Sequence, residues 1–150
     1  MKQQELLEKM VATQGLPHGW CYCFNDSCPQ RETCVRYLSK RYLPASAVMA
    51  TSVVPDAWRG GPCKAFCQLR TIKVAWGFDA LLDEVKAKDL PTFRLRLMTL
   101  LGCKSQYYRY KLGQKKLSPE QQTRILRLFR DMGYEGGRFD HYSYEVASTD

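Results

Sequence analysis

Six of the seven cysteines fall between residues 21 and 67, as Cys21, Cys23, Cys28, Cys34, Cys63 and Cys67, spaced C-x-C-x4-C-x5-C and, after a gap, C-x3-C. Thiols packed this densely must be oxidised in pairs, buried as small apolar groups, or used as ligands. The N-terminus, Met1-Lys2-Gln3-Gln4-Glu5, lacks the apolar core of an export signal, so a cytoplasmic location with reduced thiols is expected and disulfides are not. Metal ligation is then the leading reading. Zinc takes four tetrahedral ligands, favours thiolates, and supplies folding energy to a loop-rich segment. The expected ligands are Cys23, Cys28, Cys34 and Cys63, with Cys67 and Cys21 in reserve because six candidates exceed four positions. The turn-forming stretches Asn25-Asp26-Ser27 and Gln30-Arg31-Glu32 would let separate thiols converge. Free, buried cysteines are the plain alternative, and an iron–sulfur cluster the sharper one, although the spacing matches neither ferredoxin pattern. Cys103 stands apart and reads as a packed core residue.

Charge is distributed as unevenly as the cysteines. The chain carries +8 overall. Between Arg94 and Arg130, ten basic residues face Glu120 alone, a surplus of +9, so the remainder sums to about −1. One segment therefore holds the whole excess, which would concentrate an anionic partner near it. The plain alternative is a solvated basic face. Apolar runs such as Ala47–Ala50 are far too short for a membrane span.

Periodicity divides the chain into elements. Residues 3–13 form a short amphipathic helix, ended by Gly15 and Pro17. Residues 31–41 can be helical. Pro55, Gly60, Gly61 and Pro62 mark a loop returning toward the cysteines. Thr71 to Phe78 alternates as a strand does, and is expected to pair with the stretch near Val48–Val54 or with part of the cysteine region. Asp79 is expected to cap a helix reaching about Lys88. Helices are also expected from Pro91 to Leu101, closed by Gly102, and from Ser105 to Leu112. The last helix is the best marked: Ser118 as N-cap, Pro119 at the first helical position and Gln121 completing a capping box. The tail, with Phe139, Tyr142 and Tyr144, is expected to pack back on the body.

Leu97 to Gly113 has the grammar of a helix-turn-helix, in which a second helix enters the major groove. Ser105 and Gln106 would lead that helix, Gln106 suiting adenine and Arg109 guanine or phosphate. Lys104, Lys111, Lys115 and Lys116 would meet phosphates. The three tyrosines of this stretch cannot share one helix face. Tyr108 is assigned to the core with Leu112, and Tyr107 to the nucleic-acid side.

Two resemblances follow from these residues. Residues 94–133 resemble the helix-turn-helix of lambda-repressor-type regulators, which implies DNA binding. Over the whole chain, Cys23-Phe24-Asn25-Asp26-Ser27-Cys28-Pro29, Thr33-Cys34-Val35-Arg36-Tyr37, Cys63-Lys64-Ala65-Phe66, Tyr107-Tyr108-Arg109, Leu117-Ser118-Pro119-Glu120-Gln121-Gln122 and Gly133-Tyr134 are similar to an uncharacterised protein family of gut-dwelling anaerobic bacteria. Relative to that family's pattern Cys21 and Cys67 look like extras, which supports the four ligands chosen and supplies no activity.

The sequence thus predicts an α+β, mainly helical protein: a metal-stabilised cysteine-rich module with a small sheet over residues 1–78, and a helical, helix-turn-helix-like module over 79–150. The expected function is binding of double-stranded DNA in transcriptional control. An adaptor using its basic face on an acidic protein partner, or a redox or metal sensor, are the alternatives, and no membrane partner is expected. Catalysis is not expected either. His18 and His141 are the only histidines, and no Walker loop, dinucleotide fingerprint or paired-histidine zinc motif is present.

Overall fold

The computed structural model describes residues 2–149. They divide into two compact units, one running up to Thr71 and resuming at Val146, the other comprising Ile72–Glu145. The chain thus crosses from one unit to the other inside a strand, whereas the sequence reading drew its module boundary at residues 78 and 79.

In the first unit, helix α1 (Gln3–Thr13) buries Leu6, Leu7 and Met10, the positions at helical spacing. They meet Val35, Cys67, Leu69 and Val146 in a core of seven buried residues. Helical structure around residue 35 is shorter than its composition predicts. Cys34 is held in extended backbone (φ −97°, ψ 116°), so α2 is confined to Val35–Leu38 and continues as a 3-10 turn over Ser39–Tyr42. A second 3-10 turn occupies Pro55–Ala57. Residues 51–53 run beside Tyr22, whose N–H donates to Thr51 O (2.9 Å) and whose carbonyl accepts from Val53 N (2.9 Å). The stretch before Pro55 therefore already lies against the first cysteine segment.

Strand β1 (Leu69–Trp76) pairs with β2 (His141–Ser148) in a two-stranded sheet. This corrects both expected partners, the cysteine region and the stretch near Val48–Val54. That stretch is highly exposed at Val48 (91%) and Met49 (87%), whereas β2 supplies the alternation a strand needs. Thr149 N donates to Gln68 O (2.9 Å) at one end and Asp140 N to Gly77 O (3.2 Å) at the other. Both ends give the same antiparallel register, which sets Lys73 opposite Tyr144 and Trp76 opposite His141. The latter two rings stack at 5.2 Å.

Helices α3 (Asp79–Glu84), α4 (Leu90–Leu101), α5 (Lys104–Lys111) and α6 (Pro119–Asp131) fill the second unit. Thirteen buried residues form its core, among them Phe78, Phe93, Leu97, Tyr107, Leu117, Ile125, Phe129 and Phe139. Phe93 meets Phe129 edge-on at 5.9 Å. Leu117 bridges to Ala75 through two backbone bonds, Leu117 N to Ala75 O (2.7 Å) and Ala75 N to Leu117 O (3.2 Å). The Ser118–Gln121 capping box forms as its residues predict, with Gln121 N donating to Ser118 Oγ (3.2 Å) and Ser118 N to Gln121 Oε1 (2.9 Å).

Asp79 is not a cap. It is the first residue of α3, and the cap comes from the far end of the unit. The Asp140 carboxylate accepts from Asp79 N (3.0 Å) and Ala80 N (2.8 Å), satisfying two amides that the helix start leaves unpaired. Gly77 makes this approach possible. Its φ is +83°, and a Cβ there would lie 2.5 Å from Asp140 Oδ2. The helix ends early, at Glu84, because Val85 turns extended (ψ 129°) and Lys86 N donates instead to the Tyr134 hydroxyl (2.9 Å).

Replacing Asp140 by alanine should lower unfolding stability by about 1–2 kcal/mol, the scale of a lost helix cap. Urea denaturation followed by circular dichroism reads this as a lower midpoint at constant slope. An unchanged midpoint would contradict the assigned cap.

Candidate functional site

Four thiols of the first unit share one space. Cys23, Cys28, Cys34 and Cys63 line a cavity of about 10 Å³, together with Asn25, Arg36, Tyr37, Val53, Trp58, Ala65 and Phe66. That volume holds one water-sized occupant. Three chain segments bring the thiols there. The first turns at Asn25, whose Oδ1 accepts from Ser27 N (3.2 Å) and whose carbonyl accepts from Cys28 N (3.2 Å), so Cys23 and Cys28 face one space. The second presents Cys34 at the head of α2, fastened by Cys23 N to Arg36 O (3.0 Å) and Val35 N to Cys67 O (2.9 Å). The third carries Cys63 back after the Pro55–Ala57 turn, with Lys64 N donating to Ala57 O (2.7 Å).

Two side chains brace the arrangement, and neither was singled out from the sequence. Arg36 donates from Nε to Ala65 O (3.0 Å) and from one terminal nitrogen to Cys21 O (3.2 Å), tying the first cysteine segment to the last. Asp26 accepts from the Tyr37 hydroxyl (2.7 Å) and Lys40 Nζ (2.9 Å). These two donors, Lys40 first, hold its carboxyl below the usual carboxylate range. Sequence offers no signal for Arg36, because its partners are backbone carbonyls of residues far away in the chain.

Electrostatics record the gathering of thiols. Burial pushes the Cys23 thiol above its ordinary pKa. A hydrogen bond from the Asn25 backbone opposes that shift, and Cys34, Cys28 and Cys63 add to it in that order. Bringing several thiolates together without a cation is unfavourable, and a bound cation reverses that sign. The donor set therefore suits a thiophilic ion, although among the described residues no three His, Cys, Asp or Glu side chains stand in ligating geometry. The two reserve cysteines lie elsewhere. Cys67 is fully buried in the apolar core, and the Cys21 thiol is directed to the carbonyl of Tyr22 (3.8 Å). Cys103, expected in the core, is exposed because it precedes α5 in extended backbone (φ −162°).

In the second unit, α4 and α5 are joined by Gly102 (φ 109°) and Cys103 alone, shorter than the three- or four-residue turn usual in helix-turn-helix pairs. Along α5 and the following loop, Lys104, Ser105, Arg109, Lys115 and Lys116 are exposed. Lys104, Arg109 and Lys115 carry no ion pair among the described residues. Lys111 lies 3.8 Å from Asp79, and Lys116 lies 2.8 Å from Glu145 and above the Trp76 ring.

The tyrosines are reversed relative to expectation. Tyr107 is 2% exposed, stacked on Phe78 at 5.3 Å, and burial raises its phenol pKa. Tyr108 and Leu112, assigned to the core, face solvent at 43% and 67%. The inward side of α5 runs through Tyr107, Tyr110 and Lys111, three and four positions apart, which leaves Tyr108 about 100° round the helix on the open side. The Gln106 side-chain oxygen is buried without a partner, so it is not presented at the leading end of the helix as its position suggested.

The second unit also carries its surplus on open positions. Arg94, Arg96, Arg124, Arg127 and Arg130 of α4 and α6 are all exposed. No described helix is long and apolar enough to cross a membrane. The described residues thus define a two-unit α+β protein, one unit gathering four thiols and the other a set of cations. The family model described as a family of unknown function, DUF6078, matches residues 2–148, and the chain belongs to that family. No curated protein matches the chain, and no solved structure does.

Thiol reactivity should follow burial. In native, reduced protein Cys103 should react first with a disulfide reagent, while Cys23, Cys34 and Cys67, all buried, wait for unfolding. Cys103→Ser should remove the fast phase and nothing else. A fast phase that survives this substitution would contradict the placement of residue 103.

Proposed function

We propose that the protein is a non-enzymatic DNA-binding protein acting in transcriptional control, its cysteine-rich unit held by one structural zinc ion. Cys23, Cys28, Cys34 and Cys63 are the proposed ligands. The shared cavity supports this choice over Cys21 and Cys67, and a cysteine spacing that matches neither ferredoxin pattern favours a single ion over an iron–sulfur cluster. When bound, the ion would neutralise thiolates and cross-link three chain segments. The chain's own contribution is to hold those segments in reach, through the Asn25 turn, the α2 start and the Arg36 bridges.

The observation that carries the nucleic-acid reading is the exposure of unpaired cations on consecutive elements. In this reading α4 and α5 act as a helix-turn-helix, with Lys104, Ser105 and Arg109 on the duplex side of α5 and Lys115 on phosphate. Tyr108 replaces Tyr107 as the aromatic available there. Lys111 and Lys116 would exchange a carboxylate for a phosphate at small cost, since surface ion pairs contribute little. Of the tail's described carboxylates, Glu145 reaches one of these cations, while Asp140 is committed to the α3 amides.

Fluorescence anisotropy with a labelled 20-base-pair duplex should show binding that weakens steeply as salt rises. Lys115→Ala should weaken every sequence alike and reduce the salt slope by about 1, whereas Arg109→Ala should cost about 1–3 kcal/mol at a preferred site and relax specificity there. A folded protein with no duplex affinity at low salt would overturn the reading in favour of an acidic protein partner.

A further inference from the structure

The second unit carries another feature that the helix-turn-helix reading does not use. Tyr142 and Tyr144 are two residues apart on β2 and so point to the same side of the strand. Both are exposed, at 41% and 65%. The register places Lys73 of β1 directly opposite Tyr144, and its Nζ lies 4.5 Å from the centre of the Tyr142 ring. Beside Tyr142 opens a cleft of about 350 Å³ lined by Ala80, Arg138, Phe139, Asp140 and Tyr142. Arg138 is exposed. The Tyr142 hydroxyl accepts from Phe139 N (3.1 Å), and its ring stands edge-on to Phe139 at 6.2 Å. Tyr142 is therefore fixed in place, whereas Tyr144 presents an open ring.

We infer that this face is a binding platform for unpaired nucleotides of a single-stranded nucleic acid. Two requirements of such a ligand are met together. Unstacked bases need planar apolar rings, and the linking phosphates need cations beside them. Tyr144 offers the open ring, Tyr142 forms the wall of a cleft large enough for a base, and positive charge comes from Lys73 over the Tyr142 ring and from Arg138 in the cleft lining. An acidic peptide would use the cations and leave the rings without purpose. A purely apolar partner would leave Lys73 and Arg138 desolvated and unpaired, at a penalty. The inference rests on the nucleic-acid reading above and extends it to a second surface and a second strand state.

The test compares the full chain with Tyr144→Ala, Tyr144→Phe and Lys115→Ala, measuring anisotropy of a labelled 12-nucleotide oligo-dT and of a duplex. Tyr144→Ala should weaken oligo-dT binding about tenfold, the scale of one stacked base, and leave duplex binding unchanged. Tyr144→Phe should bind oligo-dT as the native chain does, because the ring and not the hydroxyl is used. Lys115→Ala should reduce duplex binding. Loss of oligo-dT affinity on Tyr144→Ala supports the platform even if the native chain binds no duplex, in which case only the helix-turn-helix reading falls. Oligo-dT binding indifferent to Tyr144→Ala, or absent while the duplex binds, overturns the platform and leaves the duplex reading standing. No affinity for either nucleic acid overturns both.

Discussion

Convergence of four thiols from three separate chain segments is the constraint on which the first unit depends. Its apolar core consists of seven buried residues, against thirteen in the second unit. Between Gly15 and Gln68 the only regular structure is one turn of α2 and two 3-10 turns. Ordering such a segment costs backbone entropy on the order of 1 kcal/mol or more per residue, and so little buried apolar surface offsets only part of it. Backbone bonds at Tyr22, Cys23 and Val35, and the guanidinium of Arg36, set the segments in place. A metal cross-link at the thiols, as proposed above, would close the difference.

The second unit solves the same problem by burial. Aromatic pairs Phe78–Tyr107 and Phe93–Phe129 lock the helices together, and Asp140 reaches back to cap α3, so the end of the unit is fastened to its start. Because the interior is satisfied by apolar and aromatic groups, lysine and arginine are left on the outside of α4, α5 and α6. Part of that charge is paired within the unit, Lys111 with Asp79 and Lys116 with Glu145, and the rest stands open. The two units thus differ in what they gather, thiols around one cavity in the first and exposed cations in the second.

Local signals were readable in the sequence, and distant partners were not. Helix α1 and the Ser118–Gln121 box appear where their residues put them, because spacing and caps act within a few positions. The alternation of Thr71–Phe78 declared a strand, yet its partner lies some seventy residues away, and nothing within β1 names it. Asp140 at the α3 start and Arg36 at the carbonyls of Cys21 and Ala65 are hidden for the same reason. Tyr107 and Tyr108 exchange roles because neighbours on a helix lie about 100° apart, and only the packing of α5 on Phe78 decides which of the two turns inward. The four cysteines chosen as ligands do line one cavity, since turn residues between them limited where the thiols could go.

The central claim is that a single ion bound by Cys23, Cys28, Cys34 and Cys63 holds the first unit together. Elemental analysis of the purified full chain, repeated after dialysis against a strong chelator with circular dichroism and thermal unfolding on both samples, tests it most directly. The account predicts one equivalent of zinc per chain, and after its removal a lower unfolding temperature with loss of structure. Protein that carries no stoichiometric metal and unfolds identically in the chelator would contradict it.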